Sequence, residues 1–213
     1  MELPLFPLRV VLFPGRPLPL HLFEPRYRRM LGECLRGARR FGVVAIKSGC
    51  DTDAGAEIFD VGTVADIETV EELAAGRYDI ATRGVQRFHV RRLLPAAPYP
   101  RADVELLADP PAEPDDAGRA GVLRALLAPY LLGLGAPEEL LARLPRDPTR
   151  LGWMAAAAVQ VELREQQRLL ELDPVGVRLD ATVQMLRRET GLMRHFGTVG
   201  SLQPAGRHGA DLN

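Results

Sequence analysis

The sequence offers few side chains that could catalyse a reaction. Lys47 is the single lysine, and Ser48 and Ser201 are the two serines. A Ser-Lys protease dyad would have to use Lys47 with one of these serines, and neither serine lies in a recognisable nucleophile motif. Lys47 follows Ile46, so the Gly-Lys-Ser/Thr of a phosphate-binding Walker A loop is missing. We therefore expect no catalytic residue and no peptide-bond cleavage.

The histidines and cysteines do not have the spacing of a metal site. The sequence contains no HxxxH pair, and neither cysteine belongs to a CxxC motif. Ser48, His89 and Asp51 form a catalytic triad on paper only, because no local motif supports that geometry. Cys34 is expected to be a buried helix residue. We expect neither a metal ion nor any other cofactor.

The first half of the chain has the pattern of a small β-protein. Short runs rich in Val, Ile and Phe are joined by Gly turns, which is typical of an antiparallel barrel or rolled sheet. The segment from Pro25 to Arg40 differs, because its apolar residues recur at helical spacing and Pro25 fits a first helical turn. This predicts a helix that covers one opening of the barrel. Beyond it, strands are predicted at 41–46, 58–73, 78–94 and 102–107.

The second half of the chain has the pattern of a helical bundle. A segment rich in proline and acidic residues comes first, and helix formers with a 3.6-residue period follow it. Asp147-Pro148 and Asp173-Pro174 each predict a helix start with an aspartate cap, and four helices are expected in all. The predicted organisation is a barrel at 1–110, a linker at 111–118, a helical subdomain at 119–196 and a flexible tail at 197–213.

Charge and hydropathy narrow the class of protein. The formal net charge is −1. Residues 1–50 contain 9 basic and 3 acidic residues, whereas residues 51–120 contain 7 basic and 15 acidic residues. This split fits attraction within the chain better than a nucleic-acid surface, which usually needs a net basic domain. No apolar run is long enough to span a bilayer and no signal peptide is recognisable, so we expect a cytoplasmic protein without membrane contact.

Four motifs resemble the N-terminal, substrate-binding domain family of Lon proteases. They are the strand LPLFPL at 3–8, the turn FPG at 13–15, the stretch LPLHLFEPRYRRM at 18–30 and the strand GVQRFHV at 84–90. The helical half is similar to that family too, so the resemblance covers about residues 1–195. It implies an α+β fold, in which a PUA-like antiparallel β-barrel with a covering helix precedes an α-helical bundle. A full Lon continues into ATPase and protease domains, so we expect a stand-alone, non-catalytic binding protein.

The resemblance implies recognition of unfolded or exposed apolar protein segments, in the role of a protease adaptor or a holdase-like receptor. A protease or a chaperone is then a further candidate partner. The alternative is an RNA-binding protein, because PUA-like barrels also occur in RNA recognition; the overall charge makes a nucleic-acid partner the weaker expectation. The candidate peptide-binding residues are Leu18, Leu20, Phe23, Glu24, Arg26, Tyr27, Arg87 and Phe88.

The stretch from Leu18 to Tyr27 allows two interpretations. In the structural one, the Glu24 carboxylate caps the helix, Arg26 pairs locally and Tyr27 packs on the barrel. In the functional one, the junction forms the rim of a peptide groove, with one set of its alternating apolar residues exposed. The nearby prolines either leave carbonyls free for an added strand or prevent unwanted strand pairing.

Overall fold

A computed structural model describes residues 1–49, 56–95 and 98–196. Asp51, Cys50, Ser201 and the expected tail at 197–213 lie outside the described residues. The described strands are β1 (Glu2–Leu8), β2 (Pro17–Leu22), β3 (Arg40–Ser48), β4 (Glu57–Ile58), β5 (Val61–Leu73), β6 (Arg77–Leu94) and β7 (Arg101–Leu106). The described helices are α1 (Pro25–Arg36), α2 (Asp116–Gly133), α3 (Glu138–Ala142), α4 (Pro148–Ala158), α5 (Leu163–Glu171) and α6 (Val175–Phe196).

The strands close into a barrel. Their order is β1-β7-β6-β5-β3, and β3 pairs back onto β1, with Leu5 opposite Gly42. The β1–β3 pairing is parallel, whereas the neighbouring pairs around the ring are antiparallel. The strand predicted at 58–73 is divided between β4 and β5, because Phe59 and Asp60 leave the ladder between them. The expected α+β class and the barrel are confirmed.

The strand β2 lies off this ring and pairs with the first part of β6. The turn before β2 crosses β6 at Gly84, whose N–H donates to the carbonyl of Arg16 and whose carbonyl accepts from the N–H of Gly15. A Cβ at Gly84 would lie 2.5 Å from the carbonyl oxygen of Phe13. Glycine is therefore needed at residue 84 for this close backbone approach.

The helix α1 covers the barrel as predicted but ends earlier than the sequence pattern indicates. Tyr27, Met30, Leu31 and Cys34 are buried on its inner face. It stops at Arg36, and Arg39 takes a left-handed conformation with φ of 55°, its N–H donating to the Cys34 carbonyl. Arg40 already belongs to β3. The prediction of a helix through residue 40 was wrong for its last turn, because the chain leaves the helix after Arg36 and begins β3 at Arg40.

The helical half contains five helices among the described residues, and not the four expected. The segment predicted as one helix after Pro148 is divided into α4 and α5, because Val159 is extended. Two β-branched valines, Val159 and Val161, weaken the helix there, and the N–H of Gln160 donates to the hydroxyl of Tyr130 at 3.0 Å. That bond compensates for a lost helical one. The start of α2 at Asp116 falls inside the predicted linker; the boundaries of the two halves stay a prediction.

The aspartate caps predicted for two helices have different outcomes. At α4 the Asp147 carboxylate accepts from the N–H of Arg150 at 2.8 Å, as predicted. At α6 the prediction was wrong, because the Asp173 carboxylate binds the guanidinium of Arg87. A cap is worth about 1 kcal/mol, whereas a buried arginine without a partner costs several times more.

The two halves share one hydrophobic core. Val11, Phe13 and Ala45 of the barrel half pack in one cluster with residues of α2 and α4–α6. A second cluster lies between α1 and the barrel, and a third, around Phe88, fills the barrel interior. No helix in the described part of the chain is long and apolar enough to cross a membrane.

Candidate functional site

The strand β2 turns its leucines inward. Leu22 is 1% exposed, and Leu18 and Leu20 are partly buried against the cluster under α1. Phe23, which follows the strand, is 60% exposed. Of the alternating apolar residues noted in the sequence, the leucines of β2 therefore face the core, and the phenyl ring of Phe23 is exposed to solvent.

The prolines of β2 lie with their backbone toward the free edge of the strand. The carbonyls of Arg16 and Leu18 accept from the Gly84 N–H and the Thr82 hydroxyl on β6. Backbone groups of alternate residues point to opposite sides of a strand, so those of Pro17 and Pro19 face away from β6. Proline has no N–H to donate, and this edge is therefore poor in donors for an added strand.

A groove of about 170 Å³ lies where β2 turns into α1. We call it the junction groove. Its walls are the end of β1 and the segment that joins β2 to α1, and Tyr27 also lines it. The Tyr27 ring packs on Phe6 with centroids 4.2 Å apart. The lining residues are Phe6, Pro7, Leu8, Leu20, His21, Leu22, Phe23, Glu24 and Tyr27.

Polar side chains fix the rim of the junction groove. The Glu24 carboxylate accepts from the Nε of Arg26 at 2.8 Å and makes no cap bond to α1. The Arg26 guanidinium lies 4.5 Å from the centre of the Tyr27 ring. Across the groove, the His21 Nδ1 is 2.6 Å from the Asp79 carboxylate, and its ring stacks on Phe23 with centroids 6.1 Å apart. The result is an apolar floor with a charged rim.

Arg87 and Phe88 lie elsewhere. Phe88 is fully buried inside the barrel, in contact with the third cluster. The Arg87 side chain is 1% exposed and reaches out of the barrel toward the helical half. There it donates to Asp109 at 2.8 Å, to both oxygens of Asp173 at 2.8 and 2.9 Å, and to the Leu170 carbonyl at 3.0 Å. Neither residue lines the junction groove.

A second buried guanidinium belongs to the same set of contacts. Arg178 is fully buried, its guanidinium carbon lies 3.3 Å from the centre of the Trp153 ring, and its Nη2 lies 3.4 Å from Asp173. The Trp153 Nε1 donates to Asp109 at 2.9 Å. Burial, and secondly the charge of Arg87, lower the pKa of Arg178 to about 10, so it is still charged at neutral pH. We call Arg87, Asp109, Trp153, Asp173 and Arg178 the arginine cluster.

Lys47, Ser48 and His89, the described residues that were considered for catalysis, do not form a catalytic arrangement with one another. Lys47 and Ser48 both bind the carboxylate of Glu57, at 2.5 and 2.9 Å. The hydrogen bond from Lys47 is the main cause that lowers the pKa of Glu57. The lysine amine therefore faces a carboxylate and not the serine hydroxyl. His89 is exposed and lines a separate cavity of about 300 Å³ with Lys47.

No group of His, Cys, Asp and Glu suited to a metal ion occurs within residues 1–49, 56–95 and 98–196. Cys34 is the one cysteine among the described residues, and it is buried on α1. Burial raises the pKa of its thiol to about 11. A thiol of that kind is neutral at physiological pH and inert as a ligand.

The sequence matches the family model of the ATP-dependent protease La (Lon) substrate-binding domain over residues 2–188. The chain belongs to the Lon substrate-binding domain family. Curated relatives include Lon protease 2 of Myxococcus xanthus, 28% identical over 93% of this chain and 25% of that protein. The Lon protease of Xanthomonas oryzae is 30% identical over 89% of this chain and 23% of that protein. The chain thus spans about a quarter of the length of these relatives.

Solved structures of Lon N-terminal domains have the same fold. The crystal structure of a Lon N-terminal domain protein from Xanthomonas campestris superposes with a TM-score of 0.66 at 26% identity, covering 86% of this chain and 98% of that one. The N-terminal domain of the Mycobacterium avium complex Lon protease gives a TM-score of 0.69 at 17% identity, covering 88% and 98%. The PUA-like barrel followed by a helical half is thereby confirmed.

Within this Lon-family fold, the predicted site residues fall into two places. Leu20, Phe23, Glu24 and Tyr27 come together in the junction groove, and Arg26 is bound to Glu24 at its rim. Leu18 does not line the groove and packs on the cluster under α1. The other two are buried: Arg87 belongs to the arginine cluster, and Phe88 lies inside the barrel. That any of the eight binds a peptide stays a prediction.

Sequence reasoning missed several groove residues. Phe6, Pro7 and Leu8 belong to a motif that was recognised, but only the barrel closure brings them beside β2. It also missed His21 as a rim residue and the partners of Arg87. The one available signal was indirect: a buried arginine in a strand requires carboxylate partners, without saying which ones.

Proposed function

We propose that this Lon-family domain binds unfolded or exposed apolar segments of other proteins in the junction groove, without cleaving them. The observation that carries the proposal is Phe23, a large apolar side chain that is 60% exposed at the edge of an apolar groove. Burying such a side chain against a client yields about 1.5–3 kcal/mol. A solvent-exposed phenyl ring beside an apolar groove is suited to that use.

The shape of the junction groove fits clients that share no sequence motif. Unfolded chains have apolar side chains in common, and a groove of about 170 Å³ accommodates one large side chain or part of it at a time. Pro17 and Pro19 leave the edge of β2 poor in donors, so recognition would rest on side chains more than on an added strand. The affinity for any single segment is then modest.

The wider role is also part of the proposal. The relatives are named Lon proteases, and the matched model describes a substrate-binding domain. We infer that this domain presents bound polypeptide to a protease or holds it in the manner of a chaperone. Its location in the cytoplasm stays a prediction.

The experiment that tests the proposal is a fluorescence-anisotropy titration without ATP. The purified protein is titrated against a labelled, permanently unfolded polypeptide and against a labelled single-stranded RNA, each at about 50 and about 500 mM salt. We expect polypeptide binding that persists at high salt, because an apolar contact is not screened. Binding of RNA alone, lost at high salt, would favour the RNA alternative. The absence of binding to either probe would contradict the proposal.

A further inference from the structure

The outer face of the sheet beside the junction groove carries an unusual row of charges. His21 on β2 lies opposite Asp79 on β6, and Asp79 lies opposite Glu71 on β5. All three side chains are exposed. Two carboxylates in register on neighbouring strands repel each other, because directly opposed residues have their Cβ atoms about 4.5–5.5 Å apart.

The repulsion is only partly compensated within the chain. His21 reaches Asp79 at 2.6 Å, but in the described part of the chain Glu71 makes no ion pair. Neighbouring Glu68, by contrast, is paired with Arg83 at 2.6 Å. The nearby Arg77 turns to the Ala74 carbonyl at the hairpin tip. The two opposed carboxylates of Asp79 and Glu71 share one imidazole partner, His21, and the pair of carboxylates is therefore complementary to an added cation.

This row is continuous with the junction groove. His21 lines the groove and stacks on Phe23, while Glu71 lies two strands away, about 10 Å at the usual strand spacing. An extended polypeptide advances about 3.3 Å per residue, and an arginine or lysine side chain reaches several ångströms further. A residue one to three positions from a side chain in the groove can therefore place its cation between Asp79 and Glu71.

We propose that the junction groove prefers segments in which a large apolar residue has an arginine or lysine within three residues. The apolar side chain enters the groove beside Phe23, and the cation binds the carboxylates of Asp79 and Glu71. This inference rests on the proposed function, since it names the class of segment that the same site selects. It follows from charge complementarity beside an apolar groove.

The test uses two labelled peptides and two double variants. The peptides share a Gly/Ser host with one Phe and differ only two positions away, where one has Arg and the other Gln. At about 50 mM salt we expect the Arg peptide to bind about 3–10-fold more tightly than the Gln peptide, and the difference to shrink at about 500 mM. The combination of Glu71→Gln and Asp79→Asn should abolish the difference, while the amide oxygen that replaces the Asp79 carboxylate can still accept from His21.

The matched control combines Glu138→Gln and Glu139→Gln on α3, where both side chains are exposed. It changes the net charge by the same two units and should preserve the preference for Arg. Equal binding of both peptides to the unmodified protein, or a preference that survives in the Glu71/Asp79 variant, would overturn this inference alone. Failure of both peptides to bind would overturn the proposed function as well.

Discussion

The junction groove and the arginine cluster use similar side chains for opposite purposes. In the groove, Arg26 forms a partly buried pair with Glu24, and Phe23 is exposed to solvent. In the cluster, Arg87 and Arg178 are fully buried, and their charge is matched by Asp109, which follows β7, and by Asp173, which precedes α6. The difference shows that one region is organised to remain accessible and the other to join the two halves.

The largest expected effect belongs to the cluster. Arg87→Ala would remove the buried donor that Asp109, Asp173 and the Leu170 carbonyl share, and Arg178 and Trp153 would be the remaining donors of the cluster. We expect the free energy of unfolding to fall by about 3–5 kcal/mol. Urea denaturation followed by circular dichroism measures it. Arg91→Ala is the control, since that side chain is on the same strand, is exposed and should cost only about 0–1 kcal/mol.

A smaller loss is expected at Trp153. Trp153→Phe removes the hydrogen bond to Asp109 and weakens the contact with the Arg178 guanidinium. The free energy of unfolding should fall by about 1–3 kcal/mol. Tyr78→Phe, at a half-buried residue beside α1, should change it far less. A Trp153→Phe variant as stable as the unmodified protein would mean that the cluster does not join the halves as described.

In the groove the effect should appear in binding and not in stability. Phe23→Ala should weaken the affinity for an unfolded polypeptide about tenfold, because the ring would otherwise be buried by the client. The free energy of unfolding should stay within about 0.5 kcal/mol, since the side chain is exposed. Val122→Ala, at an exposed residue of α2, should change neither quantity. Anisotropy and urea denaturation on the same samples would expose any loss of folding.

The last effect appears only at alkaline pH and concerns the contact between α1 and the segment before β7. Tyr99 donates to Glu33 of α1, and burial, with that bond second, raises the Tyr99 pKa to about 12 from 10.0. A pKa raised on folding gives stability that is complete below pH 10 and is lost as the pH rises toward 12, at up to about 1.4 kcal/mol per pH unit. Tyr99→Phe should flatten the pH dependence of unfolding in this window, and Val122→Ala, which removes no titratable group, should not.

Local patterns were enough to predict much of the fold. Short runs rich in Val, Ile and Phe between Gly turns predicted the strands, and the helical spacing of Tyr27, Met30, Leu31 and Cys34 predicted the buried face of α1. The break at Val159 was missed, because the partner that stabilises it is the hydroxyl of Tyr130 on another helix. Local propensity does not contain such tertiary partners.

The two regions differ in how far the sequence could predict them. Four of the predicted residues, Leu20, Phe23, Glu24 and Tyr27, line the groove together. They are close in the chain, so one continuous motif indicated all four. The partners of Arg87 are 22 and 86 residues away, at Asp109 and Asp173, and only the folded chain shows that they meet. The resemblance to the Lon family indicated residues in both regions. In the structure, the arginines of the cluster are buried, whereas Phe23 at the groove is exposed.

We expect polypeptides to bind at the junction groove and not at the interface of the two halves. Hydrogen–deuterium exchange of the protein, with and without a saturating unfolded polypeptide, tests it most directly. We predict slower exchange in peptides that cover residues 6–8 and 18–27, with no change in those that cover α4, α5 and the start of α6. Protection confined to the helical half, with 18–27 unchanged, would contradict it.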